Sequence, residues 1–263
     1  MLSTGLKQSK SRKAGRKIRR LTRALGSVRE LDVSLSLINE LAASDDLSRP
    51  ALQDVTLHVV AERERVRETM LTQLAAVNAD KLNRRLASVV DAIEADSSDA
   101  WRHTLASRLL KRARRLTEAI ETAGQLYSPE HLHQVRIAAK KLRYGLELAA
   151  DAAIPRAAAL VRTIKRTQTT LGRLHDLQVL QTHVAAVQAA PHGRPATHEG
   201  LAAIAGRIEE QCRLLHGKYV ASVPALHAAT ASVRSDIAPR LSREPRALKM
   251  SLARRRKTAG RAG

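Results

Sequence analysis

The sequence predicts an all-α protein made of two related helical halves. Ala, Leu and Val supply most of the apolar residues, which make up 44% of the 263-residue chain, whereas Phe is absent and Gly (12) and Pro (8) are scarce. This composition is typical of packed helices rather than of sheets. Apolar residues also recur with a helical period, and one stretch of the first half recurs in the second.

The first predicted helix runs from Arg12 to about residue 28 and is amphipathic. Residues 1–29 contain ten Lys or Arg and no acid. At 100° per residue, the basic residues fall on one face about 100° wide, and Ile18, Leu21, Leu25 and Val28 fall on the opposite face. The basic stripe consists of Arg12, Arg16, Arg19, Arg20 and Arg23.

Polar and helix-breaking residues delimit the later helices. Ser128 is the predicted N-cap of a helix over 131–150, with Pro129 at its first helical position. The tail 240–263 carries nine Lys or Arg and one acid with little periodicity, which predicts disorder. The other predicted spans are 28–43, 50–78, 80–95, 100–122, 155–171, 173–190, 198–217 and 222–236.

An internal repeat relates the two halves. Gly26–Val33 matches Gly172–Val179 as G-x-x-[RH]-[ED]-L-x-V, and three basic and two apolar positions upstream also coincide at the same offset. We interpret this as a duplication within a domain 1–239, with halves at 1–125 and 126–239. The helix 131–150 has no first-half counterpart, because that helix would precede Met1. We therefore expect a late start, a lost helix or a helix supplied by another chain.

The helix 131–150 carries a concentrated basic stripe. His133, Arg136, Lys140 and Arg143 share one face with Lys141 at its edge, and leucine and alanine residues occupy the other face. A solvated surface is the ordinary explanation for a single stripe. Here basic residues recur on the helix from Arg12 and at Arg162, Lys165 and Arg166, with few acids among them. Aligned rows of cations predict a trough that a linear polyanion fills.

The overall charge points to the same class of partner. The 46 Lys and Arg exceed the 25 Asp and Glu, which gives a formal charge of +21. Such self-repulsion favours an anionic partner, and charge alone leaves nucleic acid, a membrane surface and a polyphosphorylated ligand open. A single cysteine and the lack of a membrane-length apolar run predict a soluble, cytoplasmic protein that does not enter membranes.

Two motifs carry a family resemblance. H-x-x-R-I-x-x-K-K-L-R-Y-x-L-E at His133–Glu147 and L-G-x-L-H-D-L-x-V-L at Leu171–Leu180 resemble the signature of the CHAD (conserved histidine α-helical domain) family. The resemblance extends to about Pro239. It implies two antiparallel four-helix bundles related by a pseudo-two-fold axis, the first of them incomplete here, and inorganic polyphosphate bound in a basic groove or pore.

The resemblance also implies a ligand set and a location. The second-half ligands would be His133, Arg136, Lys140 and Arg143, with Lys141 less central, while the first-half equivalents of these residues are absent. Association with polyphosphate granules is the corresponding expectation for location. Further cations would come from the first half and from the helix after 155, namely Arg12, Arg16, Arg19, Arg20, Arg23, Arg162, Lys165 and Arg166.

The residues predict no catalytic or metal site and no cofactor. His131 and His133 lie about 200° apart on a helix and cannot share a metal ion. We interpret His175 and Asp176 as part of a polar network at a helix start, and Cys212 as a small core residue. Glutamates and arginines alternate between residues 62 and 68, which is typical of a solvated, salt-bridged surface.

Two other functions remain open from the sequence. The first is general nucleic-acid binding, for which duplex backbone contacts are the relevant mode, because an aromatic content of 2% disfavours base stacking on single strands. The second is an accessory subunit that docks on a phosphate-metabolising enzyme, as CHAD-like domains are found fused to triphosphate-processing domains.

Overall fold

The computed structural model describes residues 8–43, 46–94, 100–190 and 195–242, and every regular element in these ranges is helical, as predicted. A five-residue π-helical turn, Val233–Ile237, separates the last two helices. The α-helices are α1 (Gln8–Ala42), α2 (Arg49–Ala75), α3 (Ala79–Glu94), α4 (Ala100–Ala123), α5 (Pro129–Asp151), α6 (Ala157–Gln188), α7 (Pro195–Ser232) and α8 (Ala238–Ser242).

Two apolar cores join the described helices other than α3. The first core, here called the α4–α5 core, joins α4, α5, the first half of α6, the second half of α7, the π turn and α8. The second, the α1–α2 core, joins the end of α1, the start of α2, the second half of α6 and the first half of α7. The long helices α6 and α7 therefore cross both cores and connect them.

Three pairs of predicted helices are single continuous helices. α1 runs through Gly26, α6 through Gly172, and α7 through Gly217 and Pro224. An interior glycine disfavours a helix by about 1 kcal/mol relative to alanine, and a proline by about 3 kcal/mol. Buried residues flank Gly172 and Pro224 on both sides, and the burial of these neighbours outweighs the cost there. The separate helices predicted at these positions were therefore wrong.

Other predicted boundaries were confirmed or need a small correction. The Ser128 side chain accepts a hydrogen bond from the His131 backbone N–H at 3.5 Å, and Pro129 lies in the first turn of α5, as predicted. α6 begins at Ala157 rather than Pro155, after Arg156 in the left-handed region at φ 66°. Residues 240–242 belong to α8, so the predicted tail begins later, and its remainder, 243–263, lies outside the described residues.

The helix ends agree with the predicted offset between the halves. α1 ends at Ala42 and α6 at Gln188, while α2 begins at Arg49 and α7 at Pro195, so both pairs are 146 residues apart. The duplication itself and the boundary near residue 125 stay predictions. α4 precedes that boundary and packs against α5, which follows it.

Candidate anion-binding site

The basic stripe of α5 faces outward because its opposite face is buried. Val135, Ala139, Leu142 and Leu146 each have 0% exposure in the α4–α5 core. Lys140 and Lys141 are exposed, while His133, Arg136 and Arg143 are partly buried beside other helices. The predicted division of the helix into an apolar and a basic face is confirmed.

His133 and Arg136 lie where α5 meets α6 and α1. The rings of His133 and His175 are 4.9 Å apart, centroid to centroid. His175 Nε2 lies 3.5 Å from Glu30 Oε1 of α1. Burial, followed by the positive fields of His175 and Arg136, lowers the pKa of His133 below 6.5. A bound phosphate would favour the charged imidazole and reverse this shift.

Two carboxylates lie beside this basic cluster, so the cations there are partly neutralised. The hydrogen bond with His175 lowers the pKa of Glu30, and Arg136 acts in the same direction. Burial raises the pKa of Asp176 despite the opposing fields of Arg136, His175 and Arg173. His175 and Asp176 lie in the middle of α6. The prediction that they lie at the start of a helix was therefore wrong.

Arg143 is held between two helices. Its Nε donates to Gln168 Oε1 of α6 at 2.5 Å, and its Nη1 pairs with Glu147 one turn along α5. The guanidinium carbon also lies 4.7 Å from the centroid of the Tyr144 ring. These contacts fix the orientation of Arg143, and they leave it less free for an incoming anion than Lys140.

The arginines of α1 line a basic groove of their own. This α1 groove has a volume of about 640 Å³. Its lining contains cationic, neutral polar and small side chains but no acid. The lining residues are Arg16, Arg19, Arg20, Arg23, Ala24, Ser27 and Gln73. The structure thus brings together four of the five predicted α1 cations, and the side chain of Arg12 lies outside the described residues.

Lys141 belongs to a different cavity, between α4 and α5. Here it lies with Arg112 and Arg115 around a volume of about 270 Å³. Arg112 Nη1 donates to the Lys141 carbonyl oxygen at 2.8 Å, and burial lowers the pKa of Arg112. The sequence analysis missed this cavity. The basic run from Lys111 to Arg115 was the available signal.

The remaining predicted cations are exposed on α6. Arg162, Lys165 and Arg166 all have exposed side chains. Besides these α6 residues, the predicted cations thus lie in three separate arrangements. These are the cluster of His133 and Arg136 beside His175, the α1 groove and the α4–α5 cavity. That all these cations bind the same anion stays a prediction.

A second histidine pair adds a feature that the sequence did not suggest. The rings of His58 on α2 and His183 on α6 have centroids 5.5 Å apart. Burial and the field of His58 lower the pKa of His183, while Glu62 and Glu30 oppose this effect. Residues 58 and 183 lie too far apart in the chain for spacing to reveal the pair.

The other polar residues considered for chemistry have structural contacts. Cys212 is buried at 1% exposure in the α1–α2 core, as predicted, and burial raises the pKa of its thiol. Arg65 pairs with Glu62 at 2.5 Å, and Arg63 with Glu64 at 2.8 Å, on an exposed part of α2. Within the described ranges, no group of three or more His, Cys, Asp or Glu could hold a metal ion.

Comparison with known protein families identifies the chain. The family model described as the CHAD domain matches residues 2–185, which is more than half of the sequence. The protein belongs to the CHAD family. This family is associated with polyphosphate. No match to a curated protein or to a solved structure was found.

The extent of the CHAD match differs from the expected one. The matched residues end within α6, whereas the resemblance in the sequence extended to about Pro239. Both motifs that suggested the family, in α5 and in α6, lie inside the matched region. In the part of the chain that the structure describes, no helix has the length and apolar character needed to cross a membrane.

Proposed function

We propose that this CHAD protein binds inorganic polyphosphate and performs no chemistry on it. The observation that carries the proposal is the α1 groove, where four arginines converge and no acid lines the surface. A guanidinium offers a planar fork of donors that matches paired phosphate oxygens. A linear chain of phosphates fits an open groove lined along one helix better than a compact anion does.

The α5 stripe supplies a second contact region in this proposal. Lys140 presents an exposed ammonium group, and His133 gains a proton when a phosphate approaches. The field of Arg136 lowers the pKa of Glu30 and opposes the raised pKa of Asp176, so its role is to balance these carboxylates as well as to attract phosphate. Because polyphosphate is the proposed ligand, we also propose a cytoplasmic location near polyphosphate granules.

Titration with long-chain polyphosphate tests the proposal. Replacing Arg16, Arg19, Arg20 and Arg23 by Ala should weaken binding strongly, and so should replacing His133, Arg136, Lys140 and Arg143 by Ala. A charge-matched control removes four exposed arginines that each pair with an acid nearby, namely Arg67, Arg114, Arg213 and Arg240. Equal losses in the α1 variant and the control would refute a defined groove.

Competition distinguishes polyphosphate from nucleic acid. The groove model expects polyphosphate to displace duplex DNA when both are present at equal phosphate concentration. A protein that binds through net charge alone would show no such preference. Stronger binding of duplex DNA would favour the nucleic-acid function instead.

An accessory role beside a phosphate-metabolising enzyme is compatible with the same binding surface. In that case polyphosphate bound to this chain would be presented to the enzyme. Pull-downs with and without polyphosphate test this role, and failure to recover any enzyme in either condition would count against it.

A further inference from the structure

The cavity between α4 and α5 collects cations without acids. Arg112 and Arg115 of α4 and Lys141 of α5 lie around it, and the residues that line it include no acid. Among the described residues, none of these three cations pairs with a carboxylate. By contrast, Arg114, next to Arg115 on α4, pairs with Glu118 at 3.2 Å. The residues that the structure describes therefore leave the positive charge around the cavity without a counter-charge.

The backbone of α5 holds Arg112 in place. The Nη1 atom of Arg112 donates to the Lys141 carbonyl oxygen at 2.8 Å. The same nitrogen lies close to Gly145, where an added Cβ would be 3.0 Å from it and 2.7 Å from Leu109 Cδ2. The missing side chain of Gly145 thus leaves the space that the guanidinium occupies. A guanidinium has five N–H donors, so a fixed Arg112 retains donors for a ligand.

Burial makes an unpaired charge on Arg112 unfavourable. Its side chain is partly buried. Burial, followed by the positive field of Arg108, lowers the pKa of Arg112. A desolvated cation costs free energy unless an anion compensates for it. An anion in the cavity would therefore gain more from Arg112 than from Arg114, whose side chain is 70% exposed.

The rest of the lining distinguishes this cavity from the α1 groove. Ala119, Ile137 and Ala138 form an apolar wall, and Gln134 adds an amide. Of the described residues that line the α1 groove, only Ala24 is apolar. The cavity is also smaller, with a volume of about 270 Å³ against about 640 Å³. Apolar side chains offer no partner to phosphate oxygens, so the wall disfavours a ligand made of phosphates alone.

We propose that the α4–α5 cavity binds a phosphate monoester of a compact organic molecule. The three cations contact the phosphate oxygens, which together carry a charge of about −1.5 to −2 near neutral pH. The organic part lies against the apolar wall, and Gln134 supplies a neutral donor and acceptor. This site has its own ligand and its own residues, so it does not depend on polyphosphate binding in the α1 groove.

Titration with phenyl phosphate, which carries a phosphate on an apolar ring, tests the site at constant ionic strength. Phenyl phosphate should bind about 10-fold more tightly than orthophosphate, because its ring buries apolar surface against the wall. Phenol, which lacks the phosphate, should show no binding. Two-dimensional amide NMR spectra give the affinities, and the signals that shift should belong to residues of α4 and α5 around the cavity.

Three variants and one matched control locate the binding. Arg112→Met and Arg115→Ala should each weaken phenyl phosphate binding by about 10-fold or more, because each removes charge-assisted hydrogen bonds. Ala138→Leu keeps every charge but fills space at the wall, so it should abolish the preference over orthophosphate. Arg114→Ala changes the net charge as Arg115→Ala does and should bind like the unmodified chain. Circular dichroism should show the same helix content in all variants, and Arg115 is exposed, so its replacement preserves the packing of α4.

Three results would overturn the proposal. The first is that phenyl phosphate shifts no signals around the cavity. The second is an equal loss of binding in Arg115→Ala and Arg114→Ala, because the ligand would then respond to net charge alone. The third is orthophosphate that binds as tightly as phenyl phosphate, because the apolar wall would then contribute nothing to recognition.

Discussion

At the scale of single residues, the turn between α5 and α6 contains a backbone conformation that its side chain disfavours. Ala153 has φ 55°, and its N–H donates to the Ala150 carbonyl while the next N–H, of Ile154, donates to the Ala149 carbonyl. This is the hydrogen-bond pattern of a helix end that usually places glycine at the left-handed position.

Ala153→Gly should therefore stabilise the protein. An L-residue in the left-handed region costs about 1–2 kcal/mol, and part of this gain is offset by the larger unfolded-state entropy of glycine. We expect a net increase of about 0.5–1 kcal/mol in the free energy of unfolding, measured by urea denaturation. Ala152→Gly is the matched control, because Ala152 has φ −80° and should lose stability. A gain in the control as large as in the variant would contradict the explanation.

Histidine burial predicts how stability depends on pH. The pKa values of His133 and His183 lie below 6.5 in the folded protein, mainly because of burial. The unfolded chain then takes up protons first, so the free energy of unfolding should fall as the pH drops from about 7 to about 5.5. His133→Gln with His183→Gln should flatten this decline. Asp176 does not account for this decline, because burial raises its pKa and the folded protein then takes up that proton before the unfolded chain does.

Polyphosphate should couple to the same protons. If polyphosphate favours the charged form of His133, its affinity for the protein should rise as the pH falls from about 7 to about 5.5. This rise should be smaller in His133→Gln. Isothermal titration calorimetry in buffers of different ionisation enthalpy would detect the proton uptake. An affinity that does not change with pH would show that His133 does not contact the anion.

At the scale of helices, the crossing of α7 over the start of α2 depends on a glycine. A Cβ at Gly200 would lie 2.6 Å from Ser48 Cβ and 2.9 Å from Ala51 Cβ. These atoms are attached directly to the backbone and cannot rotate away. Ser48 is also the N-cap of α2, where its side chain accepts from the Ala51 N–H at 3.4 Å.

Gly200→Ala should consequently destabilise the protein by about 1–3 kcal/mol, despite the better helix propensity of alanine. Gly206→Ala is the control on the same helix, since a Cβ there meets nothing within 4 Å and should instead stabilise by about 0.5–1 kcal/mol. Chemical denaturation measures both variants. A Gly200→Ala protein as stable as the control would mean that α7 does not pack this closely on α2.

The helices show which parts of the fold the sequence could predict. Periodicity located the helical segments and the buried face of α5, because both depend on residues close in the chain. It divided α6 at Gly172 and α7 between residues 217 and 222, because local propensity does not include the tertiary packing that keeps these helices continuous. Tyr219 and Leu226, which flank Pro224, have 0% exposure and illustrate this packing.

The candidate site shows the same limit. Residue types on one helix, such as the α1 arginines, were predictable from spacing, and four of them line one groove. The contacts of His133 with His175, and of His175 with Glu30, join three helices and depend on how these helices cross. No spacing rule within a single helix contains that information.

At the scale of the whole molecule, the response of binding to salt is the most direct measure of the proposed groove. Each phosphate that a cation neutralises releases condensed counterions, which contributes about 0.7 to the slope of log affinity against log salt for a single-stranded polyanion. If the four arginines of the α1 groove each neutralise one phosphate, their replacement by Ala should reduce this slope by about 3. The charge-matched control, which lacks Arg67, Arg114, Arg213 and Arg240, should keep most of the slope, because these arginines already pair with carboxylates. Fluorescence anisotropy with labelled polyphosphate at several salt concentrations gives both slopes, and equal reductions would mean that the anion responds to net charge and not to the groove.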